Sequence, residues 1–251
     1  DAAGIQRVVD AYKTILDKSG QDSLSGGLVP ADVDSGSLGL DAALGFDGST
    51  DSNRVDLFED VVAAQSVTDV DEWSELEALA GVVGRIIDTA DGTAASPPLT
   101  AAELTDLGLV GDNNEGVDAD NLNAIVKKIA DLHPATGAAG ADTLSELQTL
   151  VTNGDGLYQT SVNIIKDHAE DSANNPAPSA NDYKLAGVDL GVQSALGTVS
   201  DFANALNTVL SADPGDSTNP VAGADVDTTA EIQTLVDTYA NILDAAANQN
   251  G

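Results

Sequence analysis

One amphipathic helical pattern recurs along the chain and constrains its fold more than any other feature. In segment 231–244 the apolar residues are spaced i, i+3, i+4, i+7, i+10 and i+11, which is typical of a helix that buries one face. These residues are Ile232, Leu235, Val236, Tyr239, Ile242 and Leu243. Each copy of such a helix needs an apolar partner to cover that face.

The same helix is predicted at the N-terminus. Residues 5–17 align with 232–244 at an offset of 227 without gaps, and eight of 13 positions are identical. Two further copies are placed at 76–88 and from residue 147 onward. The sequence therefore predicts four related long helices.

Shorter helices are predicted before the three later copies, at 55–62, 122–132 and 202–210. Helix starts are marked by capping boxes, in which a hydroxyl and an acid three residues later each accept a hydrogen bond from the other's backbone N–H. The predicted pairs are Thr100 with Glu103, Thr143 with Glu146, Ser179 with Asp182, and Thr228 with Glu231.

These patterns predict an all-α chain of three tandem repeats, each a short helix, a helix and a long helix. The repeats are predicted at 28–95, 96–172 and 173–251, and residues 1–27 form an N-terminal helix equivalent to the last helix of a repeat. Within the second long helix, Gly154-Asp155-Gly156 predicts a break, with the helix resuming at 157–171.

The charge and composition exclude several classes of function. The net charge is −33, which disfavours nucleic acids and anionic lipid surfaces as partners and is typical of a chain adapted to salty water. The chain contains no Cys and no Met, which rules out disulfides and thiolate chemistry and suits an exposed extracellular location. No catalytic motif is found, so we expect a protein that is not an enzyme.

The repeats resemble the helical tandem repeats of very large secreted surface adhesins of marine and other Gram-negative bacteria. The resemblance rests on segments 100–109, 120–125 and 142–151 and extends less closely over 173–251 and 28–95. It implies an extracellular, cell-surface protein with a load-bearing or adhesive role in bacteria and brings no catalytic residues. The chain is then the stalk segment of an adhesin or the subunit of a surface filament.

The alternative function is a calcium- or glycan-binding helical module. Calcium takes several oxygen ligands from a tight loop, and segment 112–120 offers such oxygens at alternate positions. The candidate ligands are Asp112, Asn114, Asp118 and Asp120. The competing interpretation is an ordinary turn that caps the next helix. No other cofactor is expected.

The match between the first and last helices predicts that repeats continue beyond the chain or that copies join head to tail. Residues 5–17 of one copy would then lie against the C-terminal repeat of another. The predicted interface residues are Ile5, Val8, Val9, Tyr12, Ile15, Leu16, Ile232, Val236, Tyr239 and Leu243. Two alternatives stay open: the N-terminal helix folds back onto its own chain, and the two tyrosines are core rings with their hydroxyls at the edge.

Overall fold

The computed structural model describes residues 2–18, 28–48, 50–111, 116–191, 198–210 and 226–248. The predicted all-α fold is confirmed: within these ranges the regular structure is helical, apart from one isolated antiparallel bridge between Val110 and Gly116. The α-helices are α1 (Ala2–Lys18), α2 (Pro30–Val33), α3 (Asp41–Leu44), α4 (Asp51–Ala64), α5 (Trp73–Ala90), α6 (Ala101–Asp106), α7 (Leu122–Ala130), α8 (Leu144–Glu170), α9 (Ala180–Leu185), α10 (Val199–Leu210) and α11 (Thr229–Asn248). Short 3-10 helices lie at Val67–Asp69 and Gly137–Gly140.

The chain divides into two compact bodies. The N-terminal body comprises Asp1–Val117 and Val126–Asn153, and the C-terminal body comprises Asp118–Ile125 and Gly154–Gly251. The predicted boundaries of the three repeats stay a prediction, because compactness and sequence repetition are different properties of a chain.

The predicted capping boxes lie at helix starts. The Thr100 hydroxyl accepts from the Glu103 backbone N–H at 3.3 Å, and the Glu103 carboxylate accepts from the Thr100 N–H at 2.9 Å. Ser179 and Asp182 form the same reciprocal pair before α9. At α11 the Thr228 N–H donates to the Glu231 carboxylate at 3.1 Å. These bonds satisfy N–H groups that a helix start leaves without intrahelical partners.

Glycines in the left-handed conformation end α6 and α9. Gly108 has φ of 80° and Gly187 has φ of 74°, a region that costs little only without a Cβ. After each glycine the next N–H bonds back into the helix, from Leu109 to Leu104 and from Val188 to Tyr183. In this type of helix ending the residue after the glycine, Leu109 or Val188, is buried. Two short helices therefore end in the same way.

In the N-terminal body, α4 and α5 pack together with α3 beside α5. The contact with α3 is close because Gly84 has no side chain: a Cβ there would lie 2.7 Å from the Ala43 carbonyl oxygen. Among the described residues the core of this body is mainly aliphatic, with the ring of Phe58 fully buried, and its other large buried members include Leu44, Leu57 and Leu76.

A buried arginine joins three segments of the N-terminal body. The side chain of Arg54 on α4 is 3% exposed. Its Nη1 donates to the carbonyls of Leu44 at 2.8 Å and Gly84 at 3.0 Å, and its Nη2 pairs with Asp88 at 2.7 Å. The planar guanidinium thus satisfies backbone oxygens at the α3–α5 contact.

In the C-terminal body, α9, α10 and α11 pack with the later part of α8 around Tyr183 and Phe202. The buried Tyr183 hydroxyl donates to Asn207 at 2.6 Å, and the Asn207 amide donates to the Pro178 carbonyl at 2.7 Å. Burial raises the pKa of Tyr183, so the phenol stays neutral and donates this bond. These bonds satisfy the polar groups inside an otherwise apolar core.

The predicted break in the second long helix is wrong. α8 runs without interruption from Leu144 to Glu170. Gly154 instead allows close helix packing, because a Cβ there would lie 2.5 Å from the Ile125 Cα. Asp155 is buried and accepts a hydrogen bond from Asn121 at 3.1 Å. The residues that suggest a turn locally are therefore explained by tertiary contacts.

Candidate functional site

The predicted interface residues of α11 are mostly covered by the C-terminal body itself. Ile232 and Val236 are fully buried in its core, and Leu243 is partly buried there. The Tyr239 ring lies against Phe202, with ring centroids 5.7 Å apart. Ile242, on the same helix, is 59% exposed. Most of this apolar stripe is thus covered within the C-terminal body, while Ile242 faces solvent.

The predicted interface residues of α1 divide between buried and exposed. Ile15 is buried in the N-terminal body, where α1 contacts α2 and α4, and Leu16 is half-buried. Val8 is 38% exposed and Val9 is 52% exposed. The side chain of Ile5 lies outside the described residues. The C-terminal half of α1 therefore folds onto its own chain, as one of the two open alternatives has it, and Val8 and Val9 are exposed in the described part of the N-terminal half.

Tyr12 lies between these halves of α1. Its hydroxyl donates to the backbone carbonyl of Asp71. Burial, followed by the nearby charges of Asp71, Glu75 and Glu72, raises the pKa of Tyr12. A neutral phenol at this position keeps α1 attached to the segment that leads into α5.

A glutamine in each of two long helices binds a distant loop through both ends of its amide. The Gln148 amide accepts from the Val110 N–H at 3.1 Å and donates to the Val110 carbonyl at 2.5 Å. Gln233 makes the same pair of bonds with Asp189, at 2.8 and 3.0 Å. We call this arrangement the amide clasp.

The two amide clasps hold equivalent places in the sequence pattern. Gln148 and Gln233 follow the first residue of the aligned apolar pattern, and Val110 and Asp189 each lie two residues after the glycine that ends a short helix. Sequence reasoning missed the clasp, although the recurrence of Gln in three of the four copies was a signal for it. Gln6 is the third of these residues, and it donates to Asp10 within α1 at 2.8 Å.

Removing one clasp tests its contribution to stability. Gln233→Ala is expected to lower the free energy of unfolding by about 1–2 kcal/mol, because two hydrogen bonds to an otherwise exposed loop are lost. Urea denaturation followed by circular dichroism measures the change. Gln159→Ala, at an exposed position of α8, is the matched control and should change stability by less than about 0.5 kcal/mol. Equal effects of the two substitutions would contradict a role for the clasp.

The predicted calcium loop is only partly described. Asp112 and Asn114 lie outside the described residues. The Asp118 carboxylate accepts from the backbone N–H groups of Asp120 at 2.9 Å and Asn121 at 3.1 Å, just before α7. This is the bonding of a turn that caps a helix. Burial, followed by the charge of Asp118, raises the pKa of Asp120. In the described part of the chain, no group of three or more potential metal ligands comes together.

Acidic side chains cluster in the N-terminal body where α4 faces the start of α8. Burial, then the charges of Asp142 and Asp60, raise the pKa of Asp56. Glu146 has a raised pKa as well, first from burial and then from its contact with Asp142. Because these folded-state pKa values exceed those of the unfolded chain, the carboxyls favour folding when protonated. They lose that contribution as the pH rises through the folded-state pKa.

Neutralising one member of this acidic cluster should stabilise the chain at neutral pH. Asp56→Asn is expected to raise the free energy of unfolding by roughly 0.5 kcal/mol at pH 7, with the gain shrinking below about pH 4. Thermal unfolding between pH 3 and 8 measures this. Glu77→Gln removes an equal charge from another exposed position, on α5, and corrects for the lower net charge alone. A pH-independent gain would rule out the electrostatic cause.

The C-terminal body contains a cavity of about 620 Å³ beside the end of α9. Its polar lining consists of amide, amine and carboxylate side chains, and the described residues that line it include no aromatic ring. The polar side chains that line the cavity are those of Asn123, Asn181, Lys184 and Asp189. Its volume falls in the range of small-ligand sites.

Comparison of the chain with known protein families, with curated proteins and with solved structures found no match. Within the described ranges, no helix has both the length and the apolar composition needed to cross a membrane.

Proposed function

We propose that this chain is an extracellular structural or adhesive repeat protein, either a stalk segment of a bacterial surface adhesin or the subunit of a head-to-tail surface filament. The observation that carries the proposal is the amide clasp, which recurs with the same geometry at equivalent positions of α8 and α11. Tandem duplication of one supersecondary unit would repeat such a clasp together with the helix caps around it. Such arrays commonly act as spacers or extended surfaces.

The composition supports placement outside the cell. A surface with a net charge of −33 suits water of high ionic strength, and the absence of Cys and Met removes the side chains most open to oxidation. Immunogold labelling of intact cells of the source bacterium tests this placement. The proposal predicts label on structures that extend from the cell surface before any permeabilisation. Label that appears only after permeabilisation would refute it.

Stability should rise with salt, because screening relieves repulsion among 33 excess negative charges. We expect the melting temperature to increase by several degrees, on the order of 5–10 °C, between about 10 mM and 1 M NaCl. Differential scanning fluorimetry with a second series in KCl separates ionic strength from an effect of one cation. A flat or falling melting temperature would contradict a charge-limited stability.

The second candidate function is a small-ligand or glycan-binding module, favoured by the cavity beside α9. Calorimetric titration with calcium and with a panel of glycans separates the two functions. A structural repeat predicts no saturable heat from either titration. Micromolar binding that Lys184→Ala abolishes would favour the binding module, because Lys184 lines the cavity.

A further inference from the structure

Another cavity, of about 370 Å³, lies in the N-terminal body and is lined by residues of α5 and α6 and the residue after α6. Its apolar lining is made of small and aliphatic side chains, those of Ala78, Leu79, Val82 and Leu107. The other lining residues are one glycine and four charged residues. The cavity therefore combines an apolar surface with charged groups, and which of those groups are already paired decides what could bind.

Two of the four charged side chains already bind each other. The Arg85 Nη2 donates to one Glu103 carboxylate oxygen at 2.6 Å, and its Nη1 donates to the other at 3.2 Å. The same guanidinium donates from Nε to the Gly81 carbonyl at 3.1 Å and from Nη1 to the Pro98 carbonyl at 3.2 Å. Arg85 thus has little donor capacity left for an anionic ligand.

The other two charged side chains are carboxylates, from Glu77 on α5 and Asp106 at the end of α6. Within the described part of the chain, neither carboxylate makes a hydrogen bond or an ion pair. Glu77 stands at the position that Gln148 holds in α8 and Gln233 holds in α11, where the amide forms the clasp. In α5 an acid that lines the cavity replaces that amide, so both helices offer a carboxylate to a ligand.

Gly81 lines the cavity from the middle of α5, where glycine destabilises a helix relative to alanine. A Cβ at this position would meet nothing within 4 Å. Gly84, three residues later, differs because a Cβ there would lie 2.7 Å from the Ala43 carbonyl oxygen. Close packing therefore explains Gly84 and does not explain Gly81, whereas the missing side chain of Gly81 leaves room in the cavity.

We propose that this cavity binds a small aliphatic amine with two or more positive charges, such as a linear diamine or polyamine. Its ammonium groups pair with Glu77 and Asp106, and its methylene chain packs on the apolar lining. A metal ion fits less well, because no three potential metal ligands come together among the described residues. The net charge of −33 attracts cations and repels anions. This binding goes beyond the structural role proposed above and does not depend on it.

Calorimetric titration of the full chain with cadaverine, an aliphatic diamine, tests the site. In about 0.15 M NaCl, which screens the long-range attraction of the acidic surface, we expect one saturable site with a Kd of about 1 mM or tighter. Glu77→Gln and Asp106→Asn should each weaken binding about threefold or more. Glu170→Gln removes an equal charge from an exposed position of α8 and should leave the Kd unchanged.

Gly81→Leu fills the cavity without changing any charge. We expect it to keep the helical circular dichroism and the melting temperature, because leucine favours helices over glycine, and to weaken cadaverine binding at least about tenfold. Magnesium chloride, which has the charge without the methylene chain, should give no saturable heat that depends on Glu77.

The proposal would be overturned by an unmodified chain that gives no saturable heat with cadaverine. Equal weakening by Glu77→Gln and Glu170→Gln would also overturn it, because binding would then follow net charge alone. A folded Gly81→Leu variant that binds like the unmodified chain would show that the ligand lies elsewhere. The two carboxylate variants decide the matter if Gly81→Leu does not fold. None of these results bears on the immunogold test, so the two proposals fail separately.

Discussion

Replacing Arg54 by Met is expected to lower the free energy of unfolding by about 3–4 kcal/mol. The substitution leaves the Leu44 and Gly84 carbonyls without their donor in a contact that excludes water. It also leaves Asp88 without its cation, although that side chain is 33% exposed and so remains partly solvated. Methionine fills most of the arginine volume, so the loss reports on the polar contacts more than on a cavity.

Lys127→Met is the matched control for Arg54→Met. It also removes one positive charge and one ion pair, but the two side chains of that pair, Lys127 and Asp131, are 40% and 51% exposed. Exposed pairs of this kind contribute roughly 0–1 kcal/mol. Urea denaturation measures both variants. Equal losses would show that net charge, and not the buried network, determines the effect.

Gly154→Ala is expected to lower stability by about 2–3 kcal/mol, while Gly156→Ala in the same helix raises it by roughly 0.5–1 kcal/mol. A Cβ on Gly154 would meet the Ile125 backbone at 2.5 Å, a contact that only a backbone shift relieves. A Cβ on Gly156 meets nothing within 4 Å, so alanine there improves helix propensity alone.

The two substitutions add the same methyl group at positions two residues apart in one helix. Thermal unfolding of both variants therefore isolates the packing effect. Stabilisation by both substitutions would indicate that α7 does not approach α8 closely in solution. Destabilisation by both would indicate that flexibility of this segment is needed.

Local sequence signals predicted the helices well. The 3.6-residue periodicity located each long helix, and the capping boxes placed the starts of α6, α9 and α11, because these features depend on residues within one or two turns. The predicted break at 154–156 failed for the opposite reason. Gly154 and Asp155 are determined by Ile125 and Asn121, some 30 residues away, which local propensity does not include.

The candidate site was predictable only in part. The apolar stripe of α1 and α11 identified two related helix faces, but the sequence cannot show which residues of the stripe each helix buries, because the aligned residues have nearly identical patterns. The amide clasp depends on a loop residue 38 positions from Gln148 and 44 from Gln233. Such pairs follow from the fold and not from neighbouring residues.

Sedimentation equilibrium of the unmodified chain in about 1 M NaCl tests the head-to-tail account most directly. The account predicts a weight-average mass that rises continuously with concentration, from the monomer mass of 25.3 kDa to beyond twice that value, as open-ended association requires. A mass that stays at 25.3 kDa at every concentration, or one that levels off at the dimer, would contradict it.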